Sequence, residues 1–137
     1  MILADTNVWS ELTRHPGDPR VIDWLHEHRE QLMLSTIVIG EIRFGIGITR
    51  SQRKRQLLAA WLNRLIERHR ERILPFDLPS SLRFGDVLAE LQLTGRHAGY
   101  ADAQLAAQAL AHGHAIATRN VRHFEPAGVS LIDPWGP

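Results

Sequence analysis

Three carboxylates in this sequence stand where carboxylates are costly. Asp5 closes the apolar run Met1–Asp5, Glu41 falls among Ile37, Phe44, Gly45 and Ile48, and Asp102 opens the stripe Leu105, Ala106, Ala109 and Leu110. Both of the latter series repeat at the three-to-four spacing of one helix face, so the spacing predicts Glu41 in the middle of a buried face and Asp102 in the first turn of another. A carboxylate in such a place must be paired, protonated or bound to a cation. Ionised carboxylates crowded together raise one another's pKa unless a cation neutralises them. Hard oxygen donors suit Mg²⁺ or Mn²⁺, and such ions activate water and stabilise charge on a phosphoryl group. The chemistry indicated is metal-assisted hydrolysis of a phosphodiester. Each acid also has a structural explanation. Asp5-Thr6-Asn7 suits a helix N-cap. Glu41 invites an arginine, although Arg43 lies two residues on and faces elsewhere. Asp102 suits the positive end of a helix dipole.

The elements that must carry these acids alternate along the chain. Met1–Asp5, Leu32–Thr36, Ile73–Phe76, Ala115–Thr118 and Val129–Ile132 are short apolar runs that read as buried strands. Between them lie helix-length segments at 19–30, 37–49, 52–70, 79–94 and 101–112. Asp18-Pro19 and Leu78-Pro79 place proline at helix starts, and Gly113 follows a helix as a cap. Strands alternating with helices give an α/β fold, a parallel sheet covered on both faces. Ligands in such sheets sit beyond the carboxyl ends of the strands, which is where Asp5 falls.

Composition narrows the class. At 137 residues, with 44% hydrophobic and 23% charged, the chain reads as one folded domain spanning 1–137. It has no cysteine, which excludes a disulfide scaffold, thiolate zinc sites and a cysteine nucleophile. The net charge of +1 implies no strong overall field, and Lys54 is the only lysine among 16 basic residues. The N-terminus has no signal-peptide pattern and no apolar run approaches the ~20 residues of a membrane span, so a soluble cytoplasmic protein with no membrane partner is expected. Phosphoenzyme chemistry fits poorly: Asn7 stands where haloacid-type phosphatases need a second Asp, and Lys54 lies in a basic run away from the acids. Arg50, Arg53, Lys54 and Arg55 read as a solvated face, and the histidines as surface groups. Arg119 stands closer to the acids, placed to steer a phosphate or a partner's carboxylate. The apolar width of 52–70 exceeds one core-facing stripe and suggests a partner surface.

The run Met1-Ile-Leu-Ala-Asp5-Thr6-Asn7-Val8-Trp9-Ser10-Glu11, Ser35-Thr36 with Gly40-Glu41-Ile42-Arg43-Phe44-Gly45-Ile46, Ala101-Asp102-Ala103-Gln104-Leu105, Ala117-Thr118-Arg119-Asn120-Val121 and Ile132-Asp133-Pro134-Trp135 together resemble the PIN-domain toxins of the VapC type. The Pro-Trp ending is most similar to the subgroup that includes FitB. The resemblance implies a PIN-like three-layer α/β/α sandwich with a parallel sheet of about five strands in order 3-2-1-4-5. It implies a Mg²⁺- or Mn²⁺-dependent endoribonuclease, the toxin of a type II toxin–antitoxin pair, whose water-driven cleavage leaves a 3′-hydroxyl and a 5′-phosphate. The family's metal-holding acids map onto Asp5, Glu41 and Asp102, its orienting hydroxyls onto Thr6 and Thr118, and Asn7 onto a supporting position. Implied partners are a cognate antitoxin docked over the early helices, operator DNA reached only through that antitoxin, RNA substrate and a second copy in a homodimer. The alternative is a catalytically weak PIN module acting mainly through antitoxin and operator-DNA complexes. One departure stands out. Where some members carry a fourth acid after Thr-Arg and others an Asp three residues later, this chain has Asn120 and His123. Asn120 is expected to supply a carbonyl oxygen or hold a ligating water, and the lost charge weakens a second ion site.

Overall fold

Strand β1 (Ile2–Ala4) is buried along its whole length, with Leu3 and Ala4 fully out of water. A strand this apolar on both faces belongs in the middle of a covered parallel sheet. The computed structural model, which describes residues 1–136, places it there. β1 pairs in parallel with β2 (Leu32–Ser35) on one side and β4 (Ala115–Ala117) on the other. β3 (Ile73–Leu74) extends the sheet beyond β2, and β5 (Leu131–Ile132) extends it beyond β4. The five-stranded order is β3-β2-β1-β4-β5, as the resemblance implies. Right-handed connections put the helices before β3 on one face and those after it on the other.

The helices are α1 (Thr6–Ser10), α2 (Pro19–Glu27), α3 (Thr36–Gly47), α4 (Gln52–Arg68), α5 (Leu78–Leu93), α6 (Tyr100–His112) and α7 (Val121–Phe124). Their starts are written locally. Asp5, Asp18, Ser35, Ser51 and Asp77 each accept an N–H of the first turn with a side-chain oxygen, which satisfies donors the helix cannot. Gly113 ends α6 in the left-handed region at φ 69°, which a side chain would resist. The strands are shorter than the apolar runs that announce them; at the end of β1 the polar last residue, Asp5, caps the following helix instead.

The packed face of α3 differs from expectation. Val38, Ile42 and Ile46 are buried, whereas Phe44 and Ile48 are 69% and 65% exposed. Glu41 is therefore half-buried at the edge of the packed face, not at its middle. The helix is apolar at so many positions that two offset stripes fit it equally, and the spacing cannot choose between them. On α5, likewise, Val87 and Leu91 go inside, while Leu82, Leu93 and Asp86 are exposed.

One buried polar link ties the two halves together. Gln108, on α6 and fully buried, accepts the Ser35 hydroxyl and donates its amide to the Leu74 carbonyl at 3.2 Å. It joins the start of α3 to β3 and α6, the helices that carry Glu41 and Asp102. We expect Gln108→Ala to destabilise the fold by about 2 kcal/mol, since it leaves two buried partners unmatched. A urea midpoint unchanged from the parent protein contradicts this.

Candidate active site

The site begins at the carboxyl end of β1. Asp5 is 6% exposed and caps α1: its Oδ1 accepts the Thr6 N–H at 2.8 Å. The capping explanation from sequence is thus realised, but it uses one oxygen. Oδ2 accepts the hydroxyl of Thr118, itself fully buried at the end of β4, at 2.9 Å, and lies 3.5 Å from the Asn7 amide. The backbone N–H of Asp5 continues the ladder to Ala117 at 2.8 Å. Asp5 is thereby fixed by both central strands.

Glu41 comes from the middle of α3, and the Thr6 hydroxyl donates to its Oε1 at 3.3 Å. Asp102 comes from the first turn of α6 and does not cap it, that place being held by Gly99. Its Oδ2 faces His123 Nδ1 at 3.6 Å. Thr118 also accepts the Asn120 N–H at 3.0 Å. Asn120 therefore contributes a main-chain bond, and its exposed side chain makes no capping bond. The Arg119 N–H donates to Asn7 Oδ1 at 3.3 Å, and its guanidinium stacks over Trp135 at 5.2 Å. That stacking engages the arginine expected to steer a phosphate.

The three acids feel one another's charge. Burial pushes the Asp5 carboxyl above its usual range, against the bonds from Thr6 and Thr118. Glu41 is raised by burial and then by the charges of Asp5 and Asp102. Asp102 is raised by burial and by Asp5, with His123 opposing. Among the described residues no lysine or arginine pairs with any of the three. As they stand, no three carboxylate or imidazole groups among those residues are gathered closely enough to enclose one ion. The donor chemistry nonetheless fits a hard divalent cation: oxygen-rich, anionic, and unneutralised by the protein itself. Grooves open on both sides of Glu41. One of about 730 Å³ runs past Thr6, Arg14, His15 and Lys54. Another, of about 460 Å³, runs past Ile37, Phe44, Ala101 and Gln104. Lys54, read from sequence as a solvated charge, lines the first. His123 is read from sequence as a surface histidine. Its place three residues past Asn120, a departure from the resembled pattern, is the signal that finds it.

The raised pKa of Asp102 has a direct consequence. The folded state holds this proton more tightly than the unfolded chain, so ionisation removes stability as pH rises from the ordinary value of 3.8 through the folded one. In EDTA, Asp102→Asn should therefore melt at a higher temperature than the parent at pH 7, and the gain should shrink as pH falls toward 3.8. Calorimetry that finds the variant no more stable at pH 7 contradicts the crowding of charge described here.

The PIN domain family model matches residues 2–129. The chain is 38% identical over 139 residues to VapC ribonuclease Y4jK of Sinorhizobium fredii, covering 100% of this chain and 99% of that protein. It superposes on the crystal structure of FitAcB from Neisseria gonorrhoeae with a TM-score of 0.93 at 33% identity, covering 100% of both chains. A structure of FitAB bound to the IR36 DNA fragment gives a TM-score of 0.91 at 32% identity, covering 100% of this chain and 97% of that one. With a match that runs from β1 to the turn before β5, this chain belongs to the PIN domain family.

Proposed function

We propose that this protein is a divalent-metal-dependent endoribonuclease and the toxin of a type II toxin–antitoxin pair. The observation that carries the reading is the trio Asp5, Glu41 and Asp102 beyond the central strands, each with a raised pKa and none paired with a lysine or arginine among the described residues. The relatives support it: one is named a ribonuclease, and FitAB is seen on DNA.

Asp5, Glu41 and Asp102 would hold Mg²⁺ or Mn²⁺. Such an ion supplies Lewis acidity, lowering the pKa of water and offsetting charge on phosphoryl oxygens. The chain's own residues do the positioning. Thr118 and the Thr6 N–H orient Asp5, and the Thr6 hydroxyl turns Glu41 toward it. Neither hydroxyl is the nucleophile in this reading, since each already donates to a carboxylate. Arg14 and Lys54, along the groove that reaches Glu41, offer the phosphate contacts that draw an RNA backbone to the acids. Water is the attacking group, and the products are a 3′-hydroxyl and a 5′-phosphate.

A separate groove of about 640 Å³ between α2 and α4 suits an antitoxin segment. Trp9, Ile22, Trp61 and Leu65 form apolar walls, with Arg29, Arg64, Arg68 and Arg72 along it. The apolar breadth of α4 divides accordingly: Leu62 faces the core, and Trp61 faces the grooves. Operator DNA is reached through that antitoxin. The exposed Phe44, Ile48, Leu78 and Leu82 support a homodimer.

A panel of structured RNAs tests the activity. Cleavage is expected with Mg²⁺ or Mn²⁺ and absent in EDTA. Thr118→Val, which removes the hydroxyl bond to Asp5 and the acceptor of the Asn120 N–H, should lose about 10-fold to 100-fold, and Asp102→Asn at least about 100-fold. Equal cutting by Asp102→Asn overturns the assignment, and intact RNA under every condition favours the catalytically weak module. Sedimentation equilibrium should give the mass of two copies; a monomer removes the homodimer from this reading.

A further inference from the structure

The groove between α2 and α4 carries more charge than the chain as a whole. The guanidinium groups of Arg29, Arg64, Arg68 and Arg72 stand along it against the single carboxylate of Glu30. Four against one leaves an excess of three positive charges, with His26 and His69 neutral, in a protein whose net charge is +1. We propose that this groove selects an acidic, amphipathic peptide segment. Carboxylates of the segment pair with the arginines, its apolar side chains fill the floor, and one of its oxygens accepts the indole N–H of Trp9. The proposal rests on the assignment of this groove to an antitoxin segment and adds the chemistry by which that segment is chosen.

Three observations carry it. First, among the described residues none of the four guanidinium groups is paired with a carboxylate of the chain itself. Arg29 reaches only the His26 carbonyl, at 2.8 Å. Second, Trp9 lines the groove and is 2% exposed, yet its indole Nε1 has no acceptor. An indole N–H can only donate, and a buried donor without a partner is costly. A docked segment supplies the oxygen that the fold does not. Third, α4 turns Trp61, Arg64, Leu65 and Arg68 toward the groove. Their offsets of three, four and seven fall on one helix face, so apolar and basic positions alternate along a single stripe.

That alternation decides between occupants. A single small anion cannot meet arginines that enter from α2, from successive turns of α4 and from the turn at Arg72. Nucleic acid would bring the same negative charge, but its bases stack on open aromatic faces. The Trp9 ring is shut away, and Ile22, Leu25 and Leu65 make the rest of the floor aliphatic. Leucine-like side chains with carboxylates between them match both parts. A guanidinium pairs with a carboxylate through two parallel hydrogen bonds, which gives the choice of segment its geometry as well as its charge.

The test uses the full chain and three synthetic peptides with one leucine pattern, differing in whether glutamate, glutamine or lysine stands between the leucines. A single-stranded oligouridylate serves as competitor. Calorimetry should show the glutamate peptide binding about 10-fold or more tighter than the glutamine peptide. Raising salt from about 0.1 M to about 1 M shortens screening from about 10 Å to about 3 Å and should remove most of that advantage. The indole N–H resonance of Trp9, identified by its loss in Trp9→Phe, should move downfield on binding. Arg64→Glu with Arg68→Glu should prefer the lysine peptide, a reversal that a misfolded variant cannot produce. Equal binding of the glutamate and glutamine peptides, an unmoved Trp9 signal or a charge-reversed variant that still prefers glutamate overturns the proposal. So does oligouridylate that displaces the glutamate peptide and binds more tightly, which makes the groove a nucleic-acid path. RNA cleavage measured alongside separates the two readings. If the peptides fail while the parent cuts RNA with Mg²⁺ or Mn²⁺, the groove chemistry falls and the nuclease stands. If the glutamate peptide binds as expected while the parent cuts no RNA, the nuclease falls and the groove chemistry stands.

Discussion

Asp5 is an ionisable group shut away from water at the point where the two central strands end, and the rest of the site is arranged around that fact. A buried carboxylate needs donors, and its donors come from both sides: the Thr6 N–H just after β1 and the Thr118 hydroxyl at the end of β4. The Thr118 bond spans 113 positions of sequence, so Asp5 closes the sheet as well as the site. They do not cancel the effect of burial, because the Asp5 pKa remains raised. The same charge then raises Glu41 and Asp102. A fold that lets three such groups raise one another's pKa, with no arginine paired to them among the described residues, gives up stability in its ion-free form, a trade common at functional sites.

The other two acids reach Asp5 through helices whose starts are fixed by short-range chemistry and whose separation is fixed by long-range chemistry. Ser35 caps α3 and at the same time donates to Gln108 of α6. Gln108 in turn holds Leu74 of β3. Ala106, Ala107 and Ala109 let α6 lie close against its neighbours. A single turn of slippage on either helix moves a carboxylate by about 5 Å, enough to separate it from Asp5. The polar link between Ser35 and Gln108 is what makes such slippage expensive, because both groups have lost water and have only each other and the backbone.

How much of this was legible depends on how far along the chain each cause lies. The strands were readable because their apolar runs end at acids, hydroxyls and prolines that act locally. Asp102 was readable because it opens the series Leu105, Ala106, Ala109 and Leu110, although Ala103, Ala107 and Gln108 bury a further side of α6. Glu41 was found on a stripe that is not the packed one, since Ile37, Val38, Ile39, Ile42, Phe44, Ile46 and Ile48 offer α3 more than one apolar side. Only the sheet and α4 choose Val38, Ile42 and Ile46. The short helices α1 and α7 carry too few residues to show a period. Gln108 looks like an interruption in an alanine-rich helix until its partner, 73 residues away, is known. His123 was marked only by its position in the resemblance, and its contact with Asp102, 21 positions away, is made by the fold.

An imidazole beside these acids changes the balance that a fourth carboxylate would strike. A fourth ionised acid would raise the pKa values of the other three still further and deepen the instability of the ion-free protein. His123 instead opposes the rise on Asp5 and on Asp102. The ion-free fold is thereby eased. What is lost is net negative charge, and with it the attraction for the hardest ion. The same side chain thereby bears on how well the fold tolerates the crowded acids.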